Sequence, residues 1–337
     1  PEQHQVLRAI ERCRTAALGG HLHKCPGCDY EQPRYNSCRN RHCPGCQSLS
    51  QLRWLEARRE RILDVGYFHV VFTIPEPLRA LFARERRAMY GLLMEAARRS
   101  LLTMAADPKR LGALPAITLV LHTWKQDLGR HVHLHALVAG GALAANGQWI
   151  SPKKGFLFPV RALSQVFRGK FIAGIEALRS ADRLPGLVAT PADWQRLKQR
   201  LHTHDWVVYA KQPLGGPEAV LETLGRYTHR VAISNERILG IDGNDVLLRV
   251  RTDPASGKKR TLHVPGTEFI DRFLQHVLPA GFKRIRHYGL LSPTRKKEAL
   301  AAARAALNVP PPAPAVVESV AEFMQRVDLI LHQRDQR

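Results

Sequence analysis

The stretch GRHVHLHALVAGG, residues 129–141, carries three histidines at alternate positions of an otherwise apolar run. In an extended chain successive side chains point to opposite faces, so His131, His133 and His135 are predicted to share one face of a strand. Neutral imidazole is a common metal ligand, and two on one face can bind a single divalent cation. The stretch alone leaves two interpretations open: a metal site of unspecified use, or a polar strand face with hydrogen-bonded histidines.

The charge of the chain indicates a polyanionic partner. Its 337 residues include 51 Lys and Arg against 29 Asp and Glu, a net charge of +22. Basic side chains neutralise phosphates and release condensed counterions, which favours nucleic acid over a surface that is charged only for solubility. No run of 18 apolar residues or isolated basic amphipathic helix indicates a membrane partner. No apolar segment typical of a signal peptide is visible, so we expect a cytoplasmic protein.

All six cysteines lie between residues 13 and 46 and include two C-P-G-C turns that are separated by 14 residues. Such clustering favours a metal over disulfides, and the spacing is close to a known zinc pattern. Zinc prefers four tetrahedral thiolate or imidazole ligands, and each tight turn supplies two sulfurs. We therefore predict a structural Zn²⁺ held by Cys25, Cys28, Cys43 and Cys46.

Further ligand types lie beside these turns and leave a second zinc open. The candidate set is Cys13, His21 (or His23), Cys38 and His42. The alternative is that the two extra cysteines are small buried thiols. In the same segment, Arg39 and Arg41 are predicted to contact nucleic-acid phosphates.

Elsewhere, short apolar runs alternate with segments whose apolar residues recur at helical spacing. This pattern predicts a small antiparallel meander of strands together with helices. Predicted strands are 67–75, 116–124 and 205–211, and predicted helices are 77–105, 160–178 and one from Pro217 to about 229. Paired strands around a GIDGND turn are predicted at 237–250 and 259–265. The stretch NVPPPAPAVV is typical of an extended linker.

A second candidate for chemistry is Tyr227 in LGRYTHR, late in a predicted helix and flanked by Arg226 and Arg230. A tyrosine hydroxyl can attack a phosphodiester when a cation polarises the phosphate. Taken alone, a core or surface tyrosine is the commoner interpretation. The histidine strand, the zinc turns and the positive charge together favour a nucleophile.

The sequence resembles the HUH-type rolling-circle transposases of the "ninety-one" insertion-sequence (IS91) family and the related ISCR elements. The matching stretches, spread from residue 13 to 291, are CRTAALGGH, YNSCRNRHCPGCQ, HVHLHALVAGG, DWVVYAKQPLGGPEAVLETLGRYTHRVAISN and FIDRFLQHVLPAGFKRIRHYGLL. The resemblance implies an α+β fold in which an N-terminal zinc-binding module precedes an HUH endonuclease domain. That domain is expected to contain a central antiparallel β-sheet flanked by helices.

The resemblance also implies roles for individual residues. His133 and His135 match the HUH pair that holds catalytic Mg²⁺ or Mn²⁺, and Tyr227 matches the nucleophile. The third ligand of such sites varies, and Gln126 and His131 are the candidates here. Two-tyrosine members carry another tyrosine four residues earlier, where this chain has Thr223, so a single-tyrosine enzyme is expected.

Basic residues near the predicted nucleophile are expected to position phosphates; they are Lys211, Arg226 and Arg230. The predicted parts of the chain are a zinc-binding domain at 1–48, a basic helical connector at 49–65, an HUH nuclease domain at 66–295 and a Pro-rich linker with a C-terminal tail at 296–337. A β-hairpin at about 237–265 is inserted in the nuclease domain or appended to it.

The predicted function is transposition by cleavage and rejoining of single-stranded DNA through a 5′-phosphotyrosine. The expected cofactors are one or two structural Zn²⁺ ions and a catalytic Mg²⁺ or Mn²⁺. The expected partners are single-stranded and transposon-end DNA, hairpin ends among them, at the bacterial nucleoid, with no membrane and no small-molecule substrate. Two alternatives remain: a plasmid replication initiator or relaxase with the same chemistry, and a non-catalytic zinc-dependent DNA-binding protein.

Overall fold

A computed structural model describes residues 2–25, 27–153, 157–184, 190–210, 215–228, 232–251, 257–312 and 322 of the chain. The helices in these ranges are α1 (Glu2–Glu11), α2 (Ser48–Arg59), α3 (Arg79–Arg84), α4 (Arg86–Ala106), α5 (Val160–Ser180), α6 (Pro191–Thr203), α7 (Gly216–Thr228), α8 (Gly266–Leu274) and α9 (Lys296–Ala306). The strands are β1 (Gly20–Lys24), β2 (Glu31–Tyr35), β3 (Tyr67–Thr73), β4 (Leu114–Trp124), β5 (Arg130–Leu143), β6 (Trp149–Ile150), β7 (Val208–Ala210), β8 (Ile238–Asp242), β9 (Asp245–Arg251), β10 (Lys259–Pro265) and β11 (Ile285–Gly289).

A central sheet has the strand order β11-β4-β5-β3-β7, with the short β6 paired to β5. Every neighbouring pair in it is antiparallel. Strands β4 and β5 form a long hairpin within this sheet. Both strands are rich in branched and apolar residues, which favour extended structure. This arrangement, with helices beside it, confirms the predicted α+β class with a central antiparallel sheet.

One face of the sheet is apolar and packs against the long helices α4 and α5. Alternate residues of β5 such as Leu134, Ala136 and Val138 are buried there. The two helices come close at Gly174, where a Cβ would overlap the side chain of Leu92. Burial of this face supplies the main hydrophobic core, so the opposite face of the same strands is available for polar residues.

The opposite face, which carries the histidines, is only partly covered. A second apolar cluster joins Tyr67 and Leu137 of the sheet to Val220 of α7 and Leu300 of α9. Helix α2 packs against α7, which in turn contacts β4. These helices cover one end of the face, and the histidines of β5 lie further along it.

The region predicted as a β-hairpin is a three-stranded sheet in the order β10-β9-β8. The predicted GIDGND turn lies where Gly243, with a positive φ of 56°, reverses the chain between β8 and β9, and β10 adds a third strand to this pair. The sheet packs on α8 and on the N-terminal helix α1, whose Val6 is buried with Val250 and Phe273. The predicted helix 77–105 is likewise two helices, α3 and α4, which meet at Glu85.

Within the described ranges, no helix combines the length and the apolar character that crossing a bilayer requires. The tail beyond residue 312 lies outside the described residues except for Glu322.

Candidate functional site

Three imidazoles converge on the histidine face, beyond the end that the helices cover. His122 of β4 and His133 and His135 of β5 place one ring nitrogen each within 4.8 Å of the others. The Nε2 atoms of His133 and His135 are 3.0 Å apart. Two nitrogens bound at right angles to one cation at about 2.1 Å would lie about 3.0 Å apart, so this spacing fits a shared metal ion.

His122 is the third imidazole, and reasoning from the sequence missed it. The register of β4 and β5 shifts between His122 and Trp124, which brings His122 directly opposite His133. Residues directly opposite in an antiparallel pair share one face. His131 is not in this group of three. Gln126 lies in the exposed turn after β4, where its carbonyl accepts a hydrogen bond from Arg237. The histidine in LHTW, at the end of a strand that pairs with the histidine strand, was the available signal.

The protein fixes the orientation of both β5 imidazoles. The Nδ1 of His133 lies 2.9 Å from the His131 carbonyl oxygen, which can only accept, so Nδ1 carries the proton and Nε2 keeps its lone pair. The Nδ1 of His135 lies 2.8 Å from Nε2 of His69, a buried residue of β3. Metal-binding histidines commonly use their second nitrogen in this way, because the contact sets tautomer and ring orientation.

The environment keeps His133 uncharged near neutral pH. Burial lowers the pKa of His133 to about 4, while the hydrogen bond to His131 acts in the opposite direction. Burial, with the nearby charges of Lys125 and Arg79, also lowers the pKa of His131. A neutral imidazole is the form that binds a metal, so His133 is in its metal-binding form at pH 7.

A second metal-binding group lies in the N-terminal region and consists of the four thiols of Cys13, Cys38, Cys43 and Cys46. The Sγ atom of Cys46 lies 3.4 Å from that of Cys13 and 3.7 Å from that of Cys38. Sulfurs bound tetrahedrally to zinc at about 2.3 Å would be about 3.8 Å apart, so the cluster fits Zn²⁺ closely. Burial raises the pKa of Cys38 to about 11, which favours the protonated thiol when no metal is bound. A bound cation would act in the opposite direction and favour the thiolate.

This grouping corrects the predicted zinc ligands. Cys43 and Cys46 are joined by Cys13 and Cys38, whereas Cys25 and Cys28 are exposed beyond the β1–β2 hairpin. The chain segments around Cys13 and Cys38 are held together by backbone hydrogen bonds from Arg14 to Asn36 and from Asn36 to Gly19.

The two histidines proposed for a second zinc lie apart from this cluster. His21 is exposed on β1, with its ring centroid 4.9 Å from that of His23. His42 is buried, and its Nε2 accepts a hydrogen bond from the Leu278 amide at 3.3 Å. It therefore fastens the cysteine-rich segment to the rest of the chain.

Replacing Cys46 by serine is expected to remove the zinc and to lower the free energy of unfolding of the N-terminal segment by several kcal/mol, because a structural metal supplies much of the folding energy of so small a unit. The matched control, Cys28→Ser, changes an exposed cysteine and should cost less than about 1 kcal/mol. Zinc content and limited proteolysis of both variants measure the difference. Loss of zinc from Cys28→Ser as well as from Cys46→Ser would instead support the ligand set with two C-P-G-C turns.

The predicted DNA-contacting residues fall into different surroundings. Arg39 is exposed, whereas Arg41 is half-buried and donates to the Phe282 carbonyl at 2.9 Å. Burial lowers the pKa of Arg41, and its role in the fold is to anchor the cysteine-rich segment. Lys211 and Arg230 lie outside the described residues.

Tyr227 and Arg226 lie in the last turn of α7, and the structure describes their backbone only. Helix α7 packs closely on α2 at Gly225, whose carbonyl accepts a hydrogen bond from Gln51 at 2.7 Å. The absence of a side chain at Gly225 allows Leu55 to lie against the helix.

The contacts of α7 define its direction across the histidine face. Its first half lies beside the end of β4 that is farther from His122, because Val220 and Thr118 line the same cavity. Its second half lies against the first half of α2, through Gly225 and Gln51. The residues just before α2 are in turn linked to the His122 end of β4, since His42 bonds to Leu278 and the nearby His276 bonds to Thr123. The first half of α7 thus lies beside the Thr118 end of β4, and its second half packs on the first half of α2.

Comparisons with known proteins find two family models that match different parts of the chain. Residues 116–299 match a family model described as "Putative transposase", and residues 1–74 match one described as "Transposase zinc-binding domain". The chain is 44% identical over 336 residues to the "Putative transposase y4qJ" of Sinorhizobium fredii, covering 97% of this chain and 83% of that protein. It is 26% identical over 295 residues to the "Transposase for insertion sequence element IS801" of Pseudomonas savastanoi pv. phaseolicola, covering 86% of this chain and 70% of that protein. No solved structure matches the chain significantly.

Proposed function

The chain belongs to the IS91-type transposase family, and from that premise we propose that it cleaves and rejoins single-stranded DNA through a covalent link between Tyr227 and a phosphate. Transposases are enzymes that act on DNA, and the net charge of +22 suits such a partner. The observation that carries the proposal is the convergence of His122, His133 and His135 on the sheet face that α7 crosses.

The donor set of the histidine cluster fits a divalent transition metal. When bound there, Mn²⁺ or Mg²⁺ would withdraw charge from the scissile phosphate and make its phosphorus easier to attack. Imidazole suits Mn²⁺ better than Mg²⁺, which strongly prefers oxygen ligands, so we propose Mn²⁺ as the more effective cofactor. The role of His69 and of the His131 carbonyl is to hold the ligand rings in place.

In the proposed reaction the Tyr227 oxygen attacks the scissile phosphorus in line with the leaving 3′ oxygen. A tyrosine–phosphate bond forms, the bond from phosphorus to the 3′ oxygen breaks, and the phenolic proton ends on that oxygen. The products are a 5′-phosphotyrosine and a free 3′-hydroxyl. Because the adduct keeps a phosphodiester bond, a later 3′-hydroxyl can attack the same phosphorus and rejoin a strand without ATP.

The path of α7 supports Tyr227 as the nucleophile. Val220, Thr223 and Tyr227 are spaced three and four residues apart, so they occupy one stripe of the helix. Val220 and Thr223 are buried, which indicates that these two positions face the protein. From Val220 to Tyr227 the helix advances about 10 Å, and from Thr118 to His122 the strand advances about 13 Å, so both elements extend over similar distances.

Thr223 also supports a mechanism with a single tyrosine. It occupies the position one turn before Tyr227, is buried, and lacks the acidity and reach of a phenol. We propose that one tyrosine performs both cleavage and rejoining. Exposed Arg39, together with Lys211, Arg226 and Arg230, is proposed to contact the DNA phosphates.

The test uses a tiled set of end-labelled single strands from the DNA that flanks the coding sequence, incubated with the protein and Mn²⁺. A protein–DNA adduct that resists denaturation, with the label on the strand 3′ of the cut, is the expected result. Mass spectrometry should locate the nucleotide on the peptide that contains Tyr227. DNA binding without any adduct, across the whole set and with Mn²⁺ present, would overturn the proposal in favour of a non-catalytic DNA-binding protein.

A further inference from the structure

We propose that a basic cavity between α2 and the histidine face binds a backbone phosphate of the same DNA strand, a few nucleotides from the scissile phosphate. The cavity is separate from the histidine cluster and lies at the C-terminal end of α2, where Arg58, Arg61 and Ile62 line it. The identity of the ligand as DNA rests on the proposed function, whereas the anion-binding chemistry rests on the cavity itself.

The residues that line this cavity combine cations and neutral donors over an apolar floor. They are Arg58, Arg61, Ile62, Tyr67, Thr118, Leu137, Val220, His287 and Leu291. None of these described residues is acidic. A cavity that brings two guanidinium groups together without a carboxylate among its lining residues is electrostatically suited to an anion.

Arg58 has hydrogen-bonding capacity that the protein does not use. Its guanidinium lies over the ring of Trp54 at 4.6 Å, which holds the side chain in place. Its Nε atom is buried without a hydrogen-bond partner. Burial, and then the charge of Arg61, lowers the pKa of Arg58 to about 10. An oxygen anion would satisfy the buried N–H group and offset the repulsion between the two arginines.

His287 adds a neutral donor on the opposite wall. Its Nδ1 lies 3.0 Å from Thr118 Oγ1. Burial, followed by the charges of Arg58, Arg61 and Lys296, lowers the pKa of His287 to about 4, so the ring is neutral at pH 7. When the Thr118 hydroxyl donates to Nδ1, the remaining ring nitrogen carries a proton. Two guanidinium groups and one imidazole N–H can then bind the oxygens of one phosphate.

The position of the cavity favours a strand phosphate over a free one. Thr118 and His122 lie on the same face of β4, four residues and about 13 Å apart, so a few nucleotides would connect the cavity to the histidine cluster. Val220, at the other end of α7 from Tyr227, forms part of the cavity wall. A strand held at the cavity would therefore enter the histidine site along the helix that carries the nucleophile.

The test compares Arg61→Gln with the matched control Arg59→Gln, which removes an equal charge from an exposed arginine that pairs with Glu56 at 3.7 Å. Binding of a fluorescent (dT)20 strand is measured by anisotropy between 50 and 300 mM NaCl. Because each lost phosphate contact lowers the salt slope of single-strand binding by about 0.7, Arg61→Gln should show that change and about tenfold weaker binding, while Arg59→Gln should not. Arg61 is chosen over Arg58 because it does not pack on Trp54, and a thermal melt checks its fold.

Two further measurements separate the possible outcomes. In the first, inorganic phosphate is added and thermal stability is measured. If phosphate stabilised the wild type but not Arg61→Gln, while the two bound (dT)20 equally, the cavity would bind a free phosphate and the strand phosphate would be overturned. Equal salt slopes for the two variants, in a protein that still forms the DNA adduct, would overturn the cavity assignment and leave the proposed function intact. A reduced slope for Arg61→Gln in a protein that forms no adduct would support the cavity and remove the cleavage function.

Discussion

Replacement of Tyr227 by phenylalanine is expected to abolish both cleavage of single-stranded DNA and the covalent adduct, with DNA affinity within about threefold of the wild type. The variant lacks only the phenolic oxygen that attacks phosphorus, so it keeps the packing of α7 and every charged contact to the strand. Adduct formation is measured on denaturing gels at saturating Mn²⁺, and affinity by anisotropy on the same strand.

The matched control is Tyr209→Phe, because the structure offers Tyr209 as a rival nucleophile. Tyr209 of β7 pairs with Val71 of β3, which pairs with His135, so all three share the histidine face. Its side chain is 54% exposed and therefore accessible to DNA. Its backbone lies two strands from that of His135, about 10 Å away, at the edge of the sheet. If Tyr227→Phe formed the normal amount of adduct and Tyr209→Phe formed none, the nucleophile would be Tyr209 of β7.

The histidine pair could be predicted from sequence because strand alternation is a local rule. His133 and His135 share a face whatever the rest of the fold does. The third imidazole could not be found in the same way, because it depends on the register between two strands. The irregularity between His122 and Trp124 determines which residue of β4 lies opposite His133, and nothing local in the sequence announces it.

The zinc ligands illustrate the same difference. One C-P-G-C turn supplies both of its sulfurs to the cluster, but the partners of Cys43 and Cys46 are determined by the tertiary structure. The β1–β2 hairpin directs Cys25 and Cys28 away, while hydrogen bonds at its open end bring Cys13 and Cys38 together. The surroundings of Arg41 are likewise tertiary, because its hydrogen bond to the Phe282 carbonyl depends on how the N-terminal segment docks.

The second large effect is expected for His122→Ala, which should lower the single-turnover rate of DNA cleavage roughly a thousandfold, since loss of the cation removes about 4 kcal/mol of transition-state stabilisation. The matched control is His131→Ala. His131 acts on His133 through its backbone carbonyl, which alanine retains, so the control should keep its rate within about tenfold of the wild type. A second variant, His69→Ala, removes a side chain that holds His135 and should weaken metal binding about 10- to 100-fold.

Mn²⁺ binding followed by electron paramagnetic resonance gives a readout that does not depend on catalysis. His122→Ala should lose the high-affinity Mn²⁺ signal, His69→Ala should need more Mn²⁺ to saturate, and His131→Ala should titrate like the wild type. This order follows from the geometry, because His122 contributes a nitrogen to the cluster, His69 orients one ligand ring, and the His131 side chain does neither. If His131→Ala lost Mn²⁺ while His122→Ala kept it, the third ligand would come from β5 and the register between β4 and β5 would not determine the site.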